Sequence, residues 1–160
     1  MVSVEDLKRI VLFEDLTDRM LENLLPMIQE ASFEERQIIY EAGNRADRFY
    51  SLKRGKVLLE AELAPAIIIS LGAIKPGYSF GWSALVTAAS HTSYAVSAEP
   101  SEIFLMPADK FLALLERDHA MGYLVMHKMS RILDNRLERR TAQFLKVIIK
   151  HPEITRLLGM

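Results

Sequence analysis

The sequence predicts a mainly β, α+β fold: an antiparallel, jelly-roll-like double-stranded β-roll, flanked by N-terminal helices and a long C-terminal helix. Three observations carry this expectation. From Phe33 to Met106, short runs rich in Ile, Val, Tyr and Phe are separated by Gly and Pro turn signals, as in sandwiches and barrels. After Pro107 the apolar spacing lengthens to three or four residues, the period of a helix. Before Phe33 the apolar residues again repeat at helical spacing behind helix-starting residues.

Each element has its own signal. Ser3 followed by Asp6 reads as a variant capping box that opens a short helix through Val11. Thr17 reads as the cap of a second helix, with Met20, Leu21, Leu24, Leu25 and Ile28 on its apolar face. Residues 33–35 and 37–40 read as the first strands. Residues 48–53 and 56–62 read as a hairpin turning at Arg54 and Gly55. Residues 66–71 form a continuous Ile-rich run, the pattern of a strand buried on both faces. Pro76 and Gly77 signal a turn, and residues 93–98 and 102–106 are the last strands.

Beyond Pro107, residues 108–116 predict a helix with Phe111, Leu112, Leu114 and Leu115 apolar. Asp118 can cap the next helix, which has neither Pro nor Gly from Tyr123 to His151. Unbroken to Lys150, it is about 45 Å long at about 1.5 Å per residue. The alternative is two helices broken near Asn135 or Thr141. The organisation expected is one domain over residues 1–160, with the roll at about 30–107 and the C-terminal helices at about 108–158. Too few residues follow Lys150 for a helix-turn-helix, so direct DNA binding is not expected.

Composition excludes several function classes. Half of the 160 residues are apolar and 26% are charged, an ordinary globular balance. A net charge of -1 gives the whole chain no general attraction to nucleic acid or anionic lipid. The absence of Cys removes disulfides, thiolate metal sites and cysteine nucleophiles. The acidic N-terminus lacks the apolar core of a signal peptide, and no apolar run reaches the roughly 20 residues of a membrane span. A cytoplasmic location is expected.

The stretch from Ile39 to Leu59 is the most informative, with Phe49-Tyr50 between the turn glycines Gly43 and Gly55 and the run Gly55-Lys56-Val57 starting at the second. With Leu12-Phe13, Leu16, Phe33, the segment from Pro76-Gly77 to Phe80-Gly81, and Ala98, it resembles the cyclic nucleotide-binding domain family. That family includes the sensor rolls of catabolite-activator-type regulators and of protein kinase A regulatory subunits. The resemblance runs from about Val11 to Thr141 and implies a regulatory, ligand-sensing role. In the same family, the segment after Gly81 is a phosphate-binding cassette.

There the chain departs from the pattern. Members that bind cyclic AMP or GMP carry a Glu directly after the Gly matching Gly81; it accepts a hydrogen bond from the ribose hydroxyl. They carry an Arg for the cyclic phosphate at the position matching Thr92. Here Trp82 replaces the acid and Thr92 the base, with His91 one residue before. The frame Gly81, Ala84, Leu85 survives, so a short helix presenting amides to an anion is still expected. Two lost charge-assisted contacts, about 1.5–3 kcal/mol each, weaken binding by about 10²- to 10⁴-fold. A protonated His91 can restore some positive charge but not the bidentate fork of an Arg.

The candidate ligand residues are therefore Gly81, Trp82, Ser83, Ala84, His91, Thr92 and Ser93. Either Trp82 fills the pocket as core beside an exposed His91, or it offers a stacking face to a flatter or less charged ligand. No cofactor is expected beyond the family's cyclic nucleotide itself. His119 and His127 lie too far apart for one metal, and haem is not expected. Glu34-Glu35 and Glu60/Glu62 read as strand-edge or turn charges and Ser90-His91 makes no triad, so no enzymatic activity is expected.

The long helix carries the candidate dimer interface: Val125, Met129, Leu133, Leu137, Phe144 and Ile148 recur on one stripe, with Met121 before them. A homodimer is the expected assembly. The basic residues Lys128, Arg131, Arg136, Arg139, Arg140, Lys146 and Lys150 read as a solvated face. Two function classes remain: a regulatory sensor of an unidentified small molecule that signals through this helix, or a ligand-free dimerisation module.

Overall fold

The computed structural model describes residues 1–87 and 89–159. The chain divides into two compact units, one up to Leu124 and one from Val125 onward. In the first, α1 (Val4–Lys8) opens on the expected capping box: the Ser3 hydroxyl accepts from the Asp6 amide at 3.2 Å, and the Asp6 carboxylate accepts from the Ser3 amide at 3.0 Å. The helix stops at Lys8 rather than at Val11, and a separate 3-10 turn (Val11–Phe13) follows. Thr17 caps α2 (Asp18–Leu24), accepting from the Met20 amide at 3.3 Å.

Eight strands follow: β1 (Gln29–Phe33), β2 (Ile38–Tyr40), β3 (Arg48–Arg54), β4 (Val57–Ala64), β5 (Ile67–Ile74), β6 (Ser79–Phe80), β7 (Tyr94–Ser97) and β8 (Ser101–Pro107). They form two four-stranded sheets, in the orders β1-β8-β3-β6 and β2-β7-β4-β5, and every pairing is antiparallel. This is the β-roll the sequence predicts. Tyr40, Tyr50, Leu52, Val57, Leu59, Ile74, Phe80, Ala95, Ile103 and Leu105 from both sheets form one buried cluster.

Three local expectations need correction. The first strand ends at Phe33, because residues 34–37 are a turn: the Glu34 amide donates to the Gln37 side chain at 2.9 Å, and Arg36 takes a left-handed φ of 65°. Next, β3 and β4 are not a hairpin. β3 pairs with β6 and β8, while β4 pairs with β5 and β7, so Gly55 carries the chain from one sheet to the other. Gly55 has φ 98°, and a Cβ there would lie 2.7 Å from the Pro100 carbonyl oxygen, so this corner requires glycine. Finally, the Ile-rich β5 is an edge strand with Ile67, Ile68 and Ile69 exposed. A continuous apolar run does not say whether a second neighbour covers it.

Between β6 and β7 lies the short helix α3 (Ser83–Val86). After β8, α4 (Ala108–Arg117) buries Phe111, Leu114 and Leu115. Asp118 caps the next helix, its carboxylate accepting from the Met121 amide at 3.0 Å. That helix, α5 (His119–Ile149), runs unbroken for 31 residues, so no break occurs at Asn135 or Thr141. Pro152 excludes helical geometry from the residue before it, which ends α5 and starts α6 (Pro152–Leu157). The Thr155 hydroxyl donates to the Ile149 carbonyl at 2.8 Å and ties α6 to the end of α5.

Candidate functional site

The cassette begins where β6 ends. Gly81 takes a left-handed φ of 80°, and a Cβ there would stand 2.8 Å from Cδ2 of Tyr50. The glycine therefore lets the backbone pass directly over that ring and turn into α3. The short helix forms as expected: the Ala84 amide donates to the Gly81 carbonyl at 3.2 Å and the Leu85 amide to the Trp82 carbonyl at 3.0 Å. Ala84 and Leu85 are buried beneath it, while Trp82 and Ser83 are half-buried.

Trp82 and His91 are not brought together. Successive β3 residues point to opposite faces. The Trp82 ring packs on Phe49 at 5.0 Å, and Phe49 in turn stacks on Phe111 of α4 at 6.3 Å. His91 joins the other face, with Tyr50. Its imidazole stacks on Tyr40 at 3.6 Å and 13°, and Tyr40 lies 5.4 Å from Tyr50, which stacks on Phe80 at 5.2 Å. Four rings thus occupy the space between the sheets next to the cassette.

His91 is only 4% exposed, which corrects the reading of it as an exposed loop residue. Its backbone is also fixed: its amide donates to the Asn44 carbonyl at 2.9 Å, and its carbonyl accepts from the Gly43 amide at 2.8 Å. Burial pushes the imidazole pKa below its ordinary 6.5, against a smaller opposing pull from Asp47. The site thus favours a neutral His91, and a compensating positive charge there is disfavoured. Thr92 is exposed and Ser93 buried. Sequence reasoning missed the roles of Tyr40, Tyr50 and Phe80; their alternate spacing in apolar runs was the available signal.

The other histidines, His119, His127 and His151, are exposed, and no cluster of metal-ligating side chains exists among the described residues. Nor is any helix among them long and apolar enough to cross a membrane. On α5, Val125 and Met129 are 0% and 9% exposed, Leu133 and Ile148 are half-buried, and Leu137 and Phe144 are 65% and 64% exposed. Only the C-terminal part of the candidate interface stripe therefore presents large apolar surface.

The sequence profile of the cyclic nucleotide-binding domain matches residues 30–118, more than half of the chain. The chain belongs to the cyclic nucleotide-binding domain family. Solved structures agree. A Geobacter metallireducens GS-15 protein classed as cyclic nucleotide-binding shares 26% identity at a TM-score of 0.75, over 86% of this chain and 99% of that one. A cyclic nucleotide-binding domain from Methylobacillus flagellatus KT superposes at 0.79 with 16% identity, over 93% and 84%. The Thermus thermophilus catabolite activator protein superposes at 0.72 with 23% identity, over 86% of this chain and 62% of its own. These last two likenesses are of fold. As a cyclic nucleotide-binding domain, the chain has the fold of a regulatory sensor.

Proposed function

We propose that this cyclic nucleotide-binding domain is a regulatory module that binds cyclic AMP and cyclic GMP weakly or not at all. In this reading it works as a homodimer joined and coupled through α5. One observation carries the ligand part: the residues at the acid and base positions are Trp82 and Thr92, while a buried, neutral-favouring His91 stacks with Tyr40 beside Tyr50 and Phe80 where a ligand's body would need room. The assembly rests on the exposed part of the stripe. Leaving Leu137 and Phe144 in water forgoes about 1.5–3 kcal/mol per side chain, and a two-fold axis lets each stripe cover its own copy.

The test restores the lost pair. In the double variant Trp82→Glu with Thr92→Arg, calorimetric titration is expected to show cyclic AMP binding at least about tenfold tighter than in the wild type. Equally tight, micromolar binding in the two proteins would refute the ligand part, and undetectable binding in both would assign the loss to the ring stack rather than to the missing pair. The ring stack also favours a second reading, a dimerisation module without a ligand. A thermal-shift screen against nucleotides and small metabolites separates the two, since a ligand that binds only the folded state raises its stability.

A further inference from the structure

The second sheet carries a cavity of about 290 Å³ that the cassette does not touch. Leu59 and Ala95 point into the core, so their neighbours Glu60, Tyr94 and Val96 face the other side of the sheet, where the cavity lies. We propose that this cavity binds a small organic cation, an ammonium or guanidinium group on a short aliphatic body. The proposal is independent of how the cassette behaves.

Charge points to a cation. Glu60 is only 8% exposed, unusual for a carboxylate on the outside of a sheet. Among the described residues it is held by Arg36, Nη1 to Glu60 Oε1 at 3.3 Å, longer than the roughly 2.7–2.9 Å of a strong charge-assisted bond. The Arg36 side chain is itself largely exposed. Glu62 also lines the cavity, which therefore holds two carboxylates and one guanidinium. A second cation balances the set, and Arg36 stands as a loosely held placeholder for it. Ile38, Ile68 and Val96 offer apolar walls, and the Tyr94 ring offers a face to a positive charge.

The backbone adds a second, separate observation. Among the described residues, two that are not glycine take positive φ: Arg36 at 65° and Ala66 at 64°. Both line this cavity, Arg36 on the link from β1 to β2 and Ala66 on the turn between β4 and β5. Each such residue costs about 1–3 kcal/mol, and strain of that kind collects at ligand sites. Arg36 is held in it by its amide, which donates to the Ser97 carbonyl at 2.7 Å.

The experiment titrates the full chain with three probes that share one aliphatic body and differ in charge: 3-methylbutylamine, leucine and 3-methylbutanoate. At about pH 7 the amine is a full cation. Calorimetry is expected to rank the amine first, leucine second and the carboxylate undetectable. Glu60→Gln is expected to weaken the amine at least about tenfold. Arg36→Gln removes the placeholder and is expected to tighten the amine several-fold, and this arm decides the matter if Glu60→Gln fails to fold. Binding of the amine is expected to be unchanged in the Trp82→Glu, Thr92→Arg variant, which separates this site from the cassette. No amine binding in the wild type, equal binding of the carboxylate, or loss of amine binding in Arg36→Gln would each overturn the proposal.

Discussion

Replacing Gly81 by Ala tests how tightly the cassette is seated. The substitution adds two separable penalties. Holding a residue with a Cβ at φ 80° costs about 1–2 kcal/mol. The new methyl would also lie 2.8 Å from Cδ2 and 3.3 Å from Cε2 of Tyr50, and 3.4 Å from the Arg48 carbonyl oxygen. Tyr50 has little room to withdraw, because Phe80 stacks on it at 5.2 Å and Tyr40 stands at 5.4 Å. Forcing a methyl into such packing costs about 1–3 kcal/mol, so the total is about 2–5 kcal/mol. Gly43→Ala is the matched control: its φ is 86°, yet nothing lies within 4 Å of the added methyl, so only the backbone penalty applies. Urea unfolding followed by the fluorescence of the single tryptophan, Trp82, gives both values from the midpoints at unchanged slope. Gly81→Ala is expected to lose at least about 1 kcal/mol more than Gly43→Ala. Equal losses would show that the Tyr50 ring does not constrain the cassette.

Two further outcomes follow from the site and the helix. His91 has its pKa lowered by burial, so the unfolded chain binds the proton more readily than the folded one; stability is full above the ordinary pKa of 6.5 and falls as pH drops below it toward the folded value. His91→Gln is expected to flatten that acid limb in unfolding measured from neutral to acidic pH, and an unchanged limb would assign it to other groups. Changing Leu133 and Leu137 together to Glu places charge in the exposed stripe and is expected to yield monomers or aggregates in sedimentation, whereas an unchanged dimer, or a wild-type monomer at tens of micromolar (about the range where a weak dimer forms), would reject α5 as the joint.

Much of the fold was legible because local chemistry and tertiary placement agree. Ser3 with Asp6, Thr17 and Asp118 cap the helices they were expected to cap, and the change of period at Pro107 marks the end of the roll. Strand partners were less legible. The runs around Gly55 look like a hairpin because a turn glycine between apolar runs is common to hairpins and to corners between sheets. Only the pairing of β3 with β8 and of β4 with β7 separates the two. The run from Ile67 looks buried because apolar content does not register an edge. At the site, the reading of Trp82 and Thr92 as replacements rests on the resemblance to the family's cassette, counted from Gly81 and Ala98. That Trp82 turns to Phe49 while His91 turns to Tyr40 was not, because it depends on which face of β3 each ring meets. The cavity around Glu60 and Arg36 had no sequence signal, since its residues come from separate strands and turns.

On the proposed function, a cyclic nucleotide-binding fold has here lost its ordinary ligand. The most direct test is a calorimetric titration of the wild-type chain with cyclic AMP and with cyclic GMP. Losing an acid and a base worth about 1.5–3 kcal/mol each shifts a micromolar dissociation constant to roughly 0.1–10 mM, so no saturable heat is expected at low micromolar nucleotide. A saturating isotherm for either nucleotide with a dissociation constant near about 1 μM would contradict the account.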